Sequence, residues 1–388
     1  MQQSNRVYSL DLLKGIVMIV MGLDHVRDYI HADASVYNPT DPALTYPLLF
    51  ITRWVTNFCA PVFSFLAGIS AYLAGRKMTK GELSKFLIKR GLWLIFLEFT
   101  ILNFAWYFDP GFHNPELVVI WSLGVSMIFM ALMIYLQPKY IIAICVTIII
   151  GHNALDGVHF PGSYLWSIIH DPNLFKLTPS VQLTIEYTLV PWVAVMSLGY
   201  GVGWLYDPGF DPTHRRKLLQ NIGIISIVIF FALRWINVYG DPNPWSVYDT
   251  PVQTAMSFLN VTKYPPSLLY LLITLGPALI FLARSENMRG RVSSFFSTFG
   301  RVPFFYYVIH LYLIHIIALI LAEVAGFGWR KMILKSWISG NPDLHGYGFD
   351  LWVVFAVWIF VIASLYPLCR WFDEYKGKNK GKWWLSYL

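Results

Sequence analysis

Ten apolar stretches of this chain read as membrane spans, and polar, turn-rich segments separate them. They run Val7–Ile30, Leu48–Ala74, Phe86–Trp106, Leu117–Leu136, Tyr140–Gly151, Tyr187–Tyr206, Leu218–Val238, Pro266–Ala283, Val302–Val324 and Leu351–Trp371. A helix needs about 20 apolar residues to span the hydrocarbon core of a membrane. Tyr140–Gly151 is short for that task unless it continues towards Leu155. The pattern predicts an all-α, polytopic integral membrane protein of about ten transmembrane helices, one domain over residues 1–388 with a tail at 372–388.

The first stretch departs from the pattern. Lys14 and His25 are eleven positions apart, which is about three helical turns and roughly 16 Å along one face. Asp11, Met18, Met21 and Asp28 fall near the same stripe, while Leu12, Leu13, Ile16, Val17, Ile19, Val20 and Leu23 cover most of the rest. A polar seam is costly in hydrocarbon, so it is expected to face a bundle interior or a water-accessible crevice shared by Lys14 and His25. The bland counterpart is a snorkelling lysine with a packed histidine.

Composition narrows the class further. Of 388 residues, 56% are hydrophobic, 17% aromatic and only 13% charged, against about 25% charged in a soluble domain. With the N-terminus placed in the cytoplasm, twenty basic residues fall on the cytoplasmic side and six outside. That asymmetry predicts a multi-pass protein of the cell (inner or plasma) membrane with both termini cytoplasmic. It also absorbs the net charge of +7. The basic tail, from Lys376 to Lys382, reads as a lipid-surface anchor rather than a nucleic-acid site. Cys59, Cys145 and Cys369 all lie within apolar stretches, with no Cys-x-x-Cys or His-x-x-x-His spacing. They are expected to be small buried residues, and no metal is expected. The first span lacks a small-residue cleavage site and is expected to be a retained anchor. A homo-oligomer is compatible with the chain.

Three clusters could carry chemistry. Asp24-His25-Val26-Arg27-Asp28 ends the first span. Asp28, three residues beyond His25, is placed to hold its tautomer and make it a general base, while Asp24 could pair with Arg27 or Arg53. An ion-pair network closing the helix end is the structural alternative. In the second span Arg53 and Asn57 share a face, Pro61 frees a carbonyl, and Gly68 admits a neighbouring helix. In the ninth, Arg301 enters from the cytoplasmic side towards an anion such as a phosphate, and Tyr306 and His310 are one turn apart. His315 is read as a satisfied core histidine. Glu98, Asn103, Arg234 and Asn237 are further intramembrane polar groups, the last two placed as lining. Outside, the long loops His152 to Glu186 and Tyr239 to Pro265 carry aromatics that could stack on sugar rings or form an interfacial belt, among them Trp166, Trp245, Tyr248, Tyr264 and, in a later loop, Trp337.

Leu10-Asp11-Leu12-Leu13-Lys14-Gly15 with a histidine eleven residues after the lysine resembles the Arg/Lys-x10-His signature of integral membrane acyltransferases. Pro61–Gly68 resembles their proline-aromatic-glycine second helix, and Phe305–His310 a late tyrosine-rich helix with a histidine. The likeness to bacterial relatives of heparan-alpha-glucosaminide N-acetyltransferase covers nearly the whole chain, with Asp24–Asp28 and Lys263–Leu268 especially similar. This resemblance implies transfer of an acyl group, usually acetyl, from acyl-CoA to an extracytoplasmic sugar or glycan. The site it suggests has His25, Asp28 and Asp24 as the catalytic group; Lys14, Arg301, Tyr306 and His310 towards acyl-CoA; and Arg53, Asn57 and Arg27 towards the acceptor or oxyanion. Lysine stands where arginine is common, so the charge remains but the bidentate fork is lost. A small-solute permease or exporter using the same seam is the competing class.

Overall fold

The computed structural model describes residues 7–33, 36–379, 381–382 and 385. Arg6 and Lys380, counted in the charge asymmetry, and tail residues 383–384 and 386–388 lie outside the described residues. The helices are α1 (Tyr8–Ile30), α2 (Pro47–Thr56), α3 (Cys59–Gly75), α4 (Lys80–Leu97), α5 (Asn103–Tyr107), α6 (Val119–Met133), α7 (Pro138–Gly151), α8 (Tyr164–Ile169), α9 (Trp192–Gly201), α10 (Pro212–Ile236), α11 (Pro251–Leu259), α12 (Leu268–Ser285), α13 (Arg291–Arg301), α14 (Pro303–Val324) and α15 (Leu351–Lys378). Three short strands, β1 (Glu116–Leu117), β2 (Asn173–Thr178) and β3 (Val181–Ile185), form one small sheet in the order β1-β3-β2.

The protein is an all-α, multi-pass membrane protein. Six helical segments among the described residues are long and apolar enough to cross a membrane: Pro47–Gly75, Pro138–Leu155, Pro212–Ile236, Leu268–Ser285, Pro303–Val324 and Leu351–Lys378. Each of the ten apolar stretches contains a helix. A 3-10 turn at His152–Leu155 supplies the extension that the fifth needed. Helix starts follow local chemistry: Thr79 and Glu82 close a capping box at α4, and Asp211 caps α10 with Pro212 in its first turn.

Where helices cross, glycines face each other. A Cβ on Gly15 would fall on the Phe296 carbonyl, and one on Gly300 on that of Asp11, so α1 and α13 meet backbone to backbone. Gly68 and Gly199 do the same between α3 and α9. Lipid gives helices little hydrophobic reason to associate, so close backbone approach through small residues supplies the packing. Gly68 thus has the role expected of it. The α1–α13 crossing was not expected, since 291–301 reads as a cytoplasmic connection. Its apolar side chains Val292, Phe295, Phe296 and Phe299 recur at helical spacing, and that was the available signal.

Helix α1 is the axis of the fold. It has the length of a span but carries five charged side chains, Asp11, Lys14, Asp24, Arg27 and Asp28, and α2, α3, α12, α13, α14 and α15 surround it. The second span is broken at Asn57 and Phe58. Pro61 cannot donate to the Asn57 carbonyl, and the Tyr270 hydroxyl of α12 donates to it instead, at 2.8 Å. Arg234, expected as lining, is instead a staple: it donates to the carbonyls of Phe258, Asn243, Ser257 and Asn260, while Asn237 exchanges hydrogen bonds with Trp245. A buried guanidinium with five donors and nearby loop carbonyls settles there rather than facing a pore.

Candidate functional site

A cavity of about 480 Å³ opens between α1, the α2–α3 break, the end of α5, the small sheet, the loop before α12 and the start of α14. Its deep wall is apolar, with Val17, Met18, Met21, Ala60, Phe63, Leu123 and Phe304. Its outer wall is polar and aromatic, with Glu116, Gln182, Thr184, Glu186, Lys263, Tyr264, Ser336 and Trp337. Parallel pairing of β1 with β3 sets Glu116 opposite Thr184 and so brings Glu116 and Glu186, from two distant loops, to one rim.

His25 lines this cavity, and α14 orients it. Its Nδ1 is 2.7 Å from Nε2 of His310, whose own Nδ1 is 2.9 Å from the Tyr306 carbonyl one turn back. A carbonyl only accepts, so His310 Nδ1 carries the proton and its Nε2 is an acceptor. His25 Nδ1 must then donate, which leaves Nε2 of His25 with a lone pair and no hydrogen-bond partner among the described residues. The Trp106 ring meets the imidazole edge-on at 4.8 Å and Tyr306 stacks on His310 at 4.9 Å, so both rings are held. The expected His25–Asp28 pair does not form. Asp28 accepts from Arg27 at 2.6 Å, because a guanidinium one residue away offers a stronger, charge-assisted bond than a neutral imidazole.

Asp24 is the hub of a buried ion cluster. Arg27 donates to its Oδ1, Arg53 Nη1 to its Oδ2 at 2.6 Å, and the Thr56 hydroxyl lies 2.8 Å from Oδ1. Lys263 Nζ stands 3.9 Å from Oδ2. Asp24 therefore pairs with both candidate arginines. Arg27, only 1% exposed, lines neither this cavity nor its smaller neighbour and serves by fixing Asp24 and Asp28, so its placement towards an acceptor is corrected. Arg53 lines the large cavity, whereas Asn57 lines a smaller neighbouring one.

The groups expected at the donor's end differ more. Lys14 faces into the bundle, where Nζ donates to Ser70 Oγ at 2.6 Å, but it does not line the cavity. Val17 and Met18, three and four residues on, occupy the same stripe and floor the cavity above it, so one continuous crevice does not run from Lys14 to His25. Arg301 donates through Nε to Asp373 of α15 at 2.6 Å, a carboxylate 72 residues away that sequence spacing gave no reason to place there. Tyr306 supports His310 and is fully buried; its neighbour Tyr307 lines the cavity instead. His315 is the core residue expected, between the carbonyls of Ala105 and Met332. Glu98 accepts from the Trp121 N–H and Asn103 donates to the Asn114 carbonyl, so neither lines the cavity.

Sequence reasoning missed Trp106, Glu116, Glu186 and Tyr307. Lys263 was visible only as part of a family-like run, Tyr264 and Trp337 as two of several loop aromatics; Trp166, Trp245 and Tyr248 line neither cavity. The loop groups have shifted acidities. Burial pushes the Glu116 carboxyl up to about 7, against the hydrogen bond from Tyr107. Burial also raises Glu186, opposed by Lys263 and Arg53. Burial and the Arg53 charge bring Lys263 down to about 8, opposed by Asp24 and Glu186. Among the described residues no cluster of His, Cys, Asp or Glu could hold a metal ion.

Such a site can take a proton at His25 Nε2 and steady a nearby negative charge with Arg53 and Lys263. Residues 6–239 match the family model described as heparan-alpha-glucosaminide N-acetyltransferase, catalytic. No curated protein matches the chain.

Proposed function

The chain belongs to the family of heparan-alpha-glucosaminide N-acetyltransferase catalytic domains, and from that premise we propose that it moves an acyl group, acetyl above all, from cytoplasmic acyl-CoA to an amine or hydroxyl of an extracytoplasmic sugar or glycan. One observation carries the reading: His310 holds His25 so that the basic Nε2 belongs to a ring lining the cavity.

In the direct route the acceptor's nitrogen or oxygen attacks the thioester carbonyl as Nε2 takes its proton. The new C–N or C–O bond forms, the C–S bond breaks, and His25 returns the proton to the departing thiolate. Arg53 and Lys263 steady the oxyanion of the tetrahedral intermediate. In a covalent route the same Nε2 attacks the thioester first and the C–S bond breaks to release the thiolate; the acceptor then takes the acyl group as the C–Nε2 bond breaks, and its proton passes to the thiolate. Asp24 acts by fixing Arg53 on the cavity wall, and Asp28 by fixing Arg27.

The donor's phosphates are assigned to the opposite end of α1, where Lys14 and Arg301 supply positive charge. Both are already bonded, so phosphate would exchange with Ser70 and Asp373, and the pantetheine arm would part the Val17–Met18 floor. About ten spans in one membrane domain, both termini in the cytoplasm of a cell with the basic tail on the lipid surface, put the cavity outside. The reading needs acyl-CoA, an acceptor and a bilayer, and neither a metal nor nucleic acid.

The experiment is transfer of labelled acetyl from acetyl-CoA to an amino-sugar glycoside by the purified chain in nanodiscs, with melting temperature followed in parallel. Label in the sugar and stabilisation by acetyl-CoA support the proposal. No transfer, with stabilisation by a small solute but none by acetyl-CoA, would favour the permease.

A further inference from the structure

The small sheet turns a polar face to the large cavity and an apolar face away from it. Alternation along β3 brings Gln182 and Thr184, with Glu186 just beyond the strand, to the cavity lining, while Leu183 and Ile185 pack with Leu117 and Trp121 behind. Register sets Glu116 of β1 opposite Thr184, and Glu116 lines the same wall. Two carboxyls thus stand on the outer wall, and neither is among the groups that handle the acyl group.

Glu116 differs from the other carboxyls of the cavity. Asp24 is matched by Arg27 and Arg53, Asp28 by Arg27, and Glu186 lies in the field of Lys263 and Arg53. No lysine or arginine pairs with Glu116 among the described residues. It faces the carboxyls of Glu186 and Glu98 and the hydroxyls of Tyr107, Tyr29 and Tyr307. Tyr107 donates to its Oε1, and its Oε2 has no hydrogen-bond partner among the described residues. Burial pushes this carboxyl up to about 7, so it can take up and give back a proton near neutral pH.

The chemistry of an amine acceptor asks for such a group. An amine that titrates near 8, as α-amino groups do, is roughly nine-tenths ammonium at pH 7. An ammonium carries three protons and no lone pair. One proton stays in the amide, and His25 passes one to the thiolate. The third needs another acceptor, since His25 Nδ1 already holds the proton it donates to His310.

We infer that Glu116 takes the first proton from the acceptor's ammonium, and His25 the second as the amine attacks the thioester. The N–H bond breaks, its electron pair becomes the nitrogen lone pair, and a new O–H bond forms on Oε2. Glu116 returns that proton to the outer water after the amide leaves. This rests on the acyltransfer reading with an amine as acceptor; a hydroxyl has no third proton to lose.

Glu116→Gln provides the test, since its amide oxygen still accepts from Tyr107. Full-length protein in nanodiscs, with acetyl-CoA, is assayed on an amino-sugar glycoside and on its aminooxy analogue, a free base at neutral pH. Melting temperature is followed in parallel. At pH 7 Glu116→Gln is expected to lose about tenfold more kcat/KM on the amine than on the aminooxy compound. That gap should close by pH 9, where the amine needs no first base. Equal losses on both acceptors, or a gap that pH does not change, overturn the inference. A second arm needs no donor. At pH 6, binding of the amino sugar should release a proton from wild type, because a protonated Glu116 must ionise to face an ammonium. Calorimetry in two buffers of different ionisation enthalpy reads that release, which Glu116→Gln should lack. Release with no acetyl moving to either acceptor keeps Glu116 as the ammonium's partner and defeats the acyltransfer reading; acetyl transfer with no release defeats the role of Glu116 alone.

Discussion

His25 stood out as a candidate base from its place eleven residues beyond Lys14, but its partner was not visible. His310 lies 285 residues away, and only the packing of α14 on α1 brings the two rings to 2.7 Å. His310→Phe removes the acceptor for His25 Nδ1–H and lets the tautomer drift; kcat should fall roughly 10–100-fold at little change in KM. His310→Gln, whose amide oxygen can still accept, should recover part of that loss, and an equal loss in both variants would reduce His310 to packing. Glu116 gives a stability prediction with a definite sign. Its folded-state pKa of about 7 lies above the ordinary value of 4.5, so folding favours its protonated form, and stability is lost as pH rises through the folded value. Glu116→Gln keeps an acceptor for Tyr107 and removes the charge. It should raise the melting temperature at pH 8 and leave it nearly unchanged at pH 4.5; equal shifts at both would contradict the assignment.

At the scale of elements, the apolar pattern yielded every long helix because hydrocarbon demands long apolar runs with all backbone groups paired internally. What it hid were short elements answering to tertiary neighbours. The strands carry two to six residues each, too few to show alternation, and β1 pairs with β3 across more than fifty residues of chain. The break between α2 and α3 was half visible: Pro61 announces a freed carbonyl, but only the structure supplies Tyr270 as its donor. Tyr270→Phe orphans that carbonyl at a cost of about 1–3 kcal/mol. The same break carries Arg53 and Thr56 to Asp24, so the expected outcome is a lower melting temperature together with reduced turnover. Turnover unchanged in a destabilised variant would detach the break from the site.

Across the whole molecule, α1 places its histidine in the loop-covered cavity and its lysine beneath an apolar floor, with the Gly15–Gly300 crossing fixing α13 beside the lysine end. The Lys14–His25 stripe was legible because helical spacing is a one-dimensional feature. The floor was missed, since Val17 and Met18 look like ordinary span residues until the cavity stops at them. The proposed orientation is open to direct labelling, because Cys59, Cys145 and Cys369 are all buried. A membrane-impermeant maleimide applied to intact cells should modify Val247→Cys, in the loop before α11, and spare Met78→Cys, between α3 and α4. The reverse pattern would invert the topology.

The account depends above all on Nε2 of His25 taking the acceptor's proton. The most direct measurement is the initial rate of acetyl transfer by His25→Ala beside wild type in the same nanodiscs, with matched melting temperatures. A loss of at least about 100-fold is predicted, whereas transfer at the wild-type rate would contradict a catalytic role for that nitrogen.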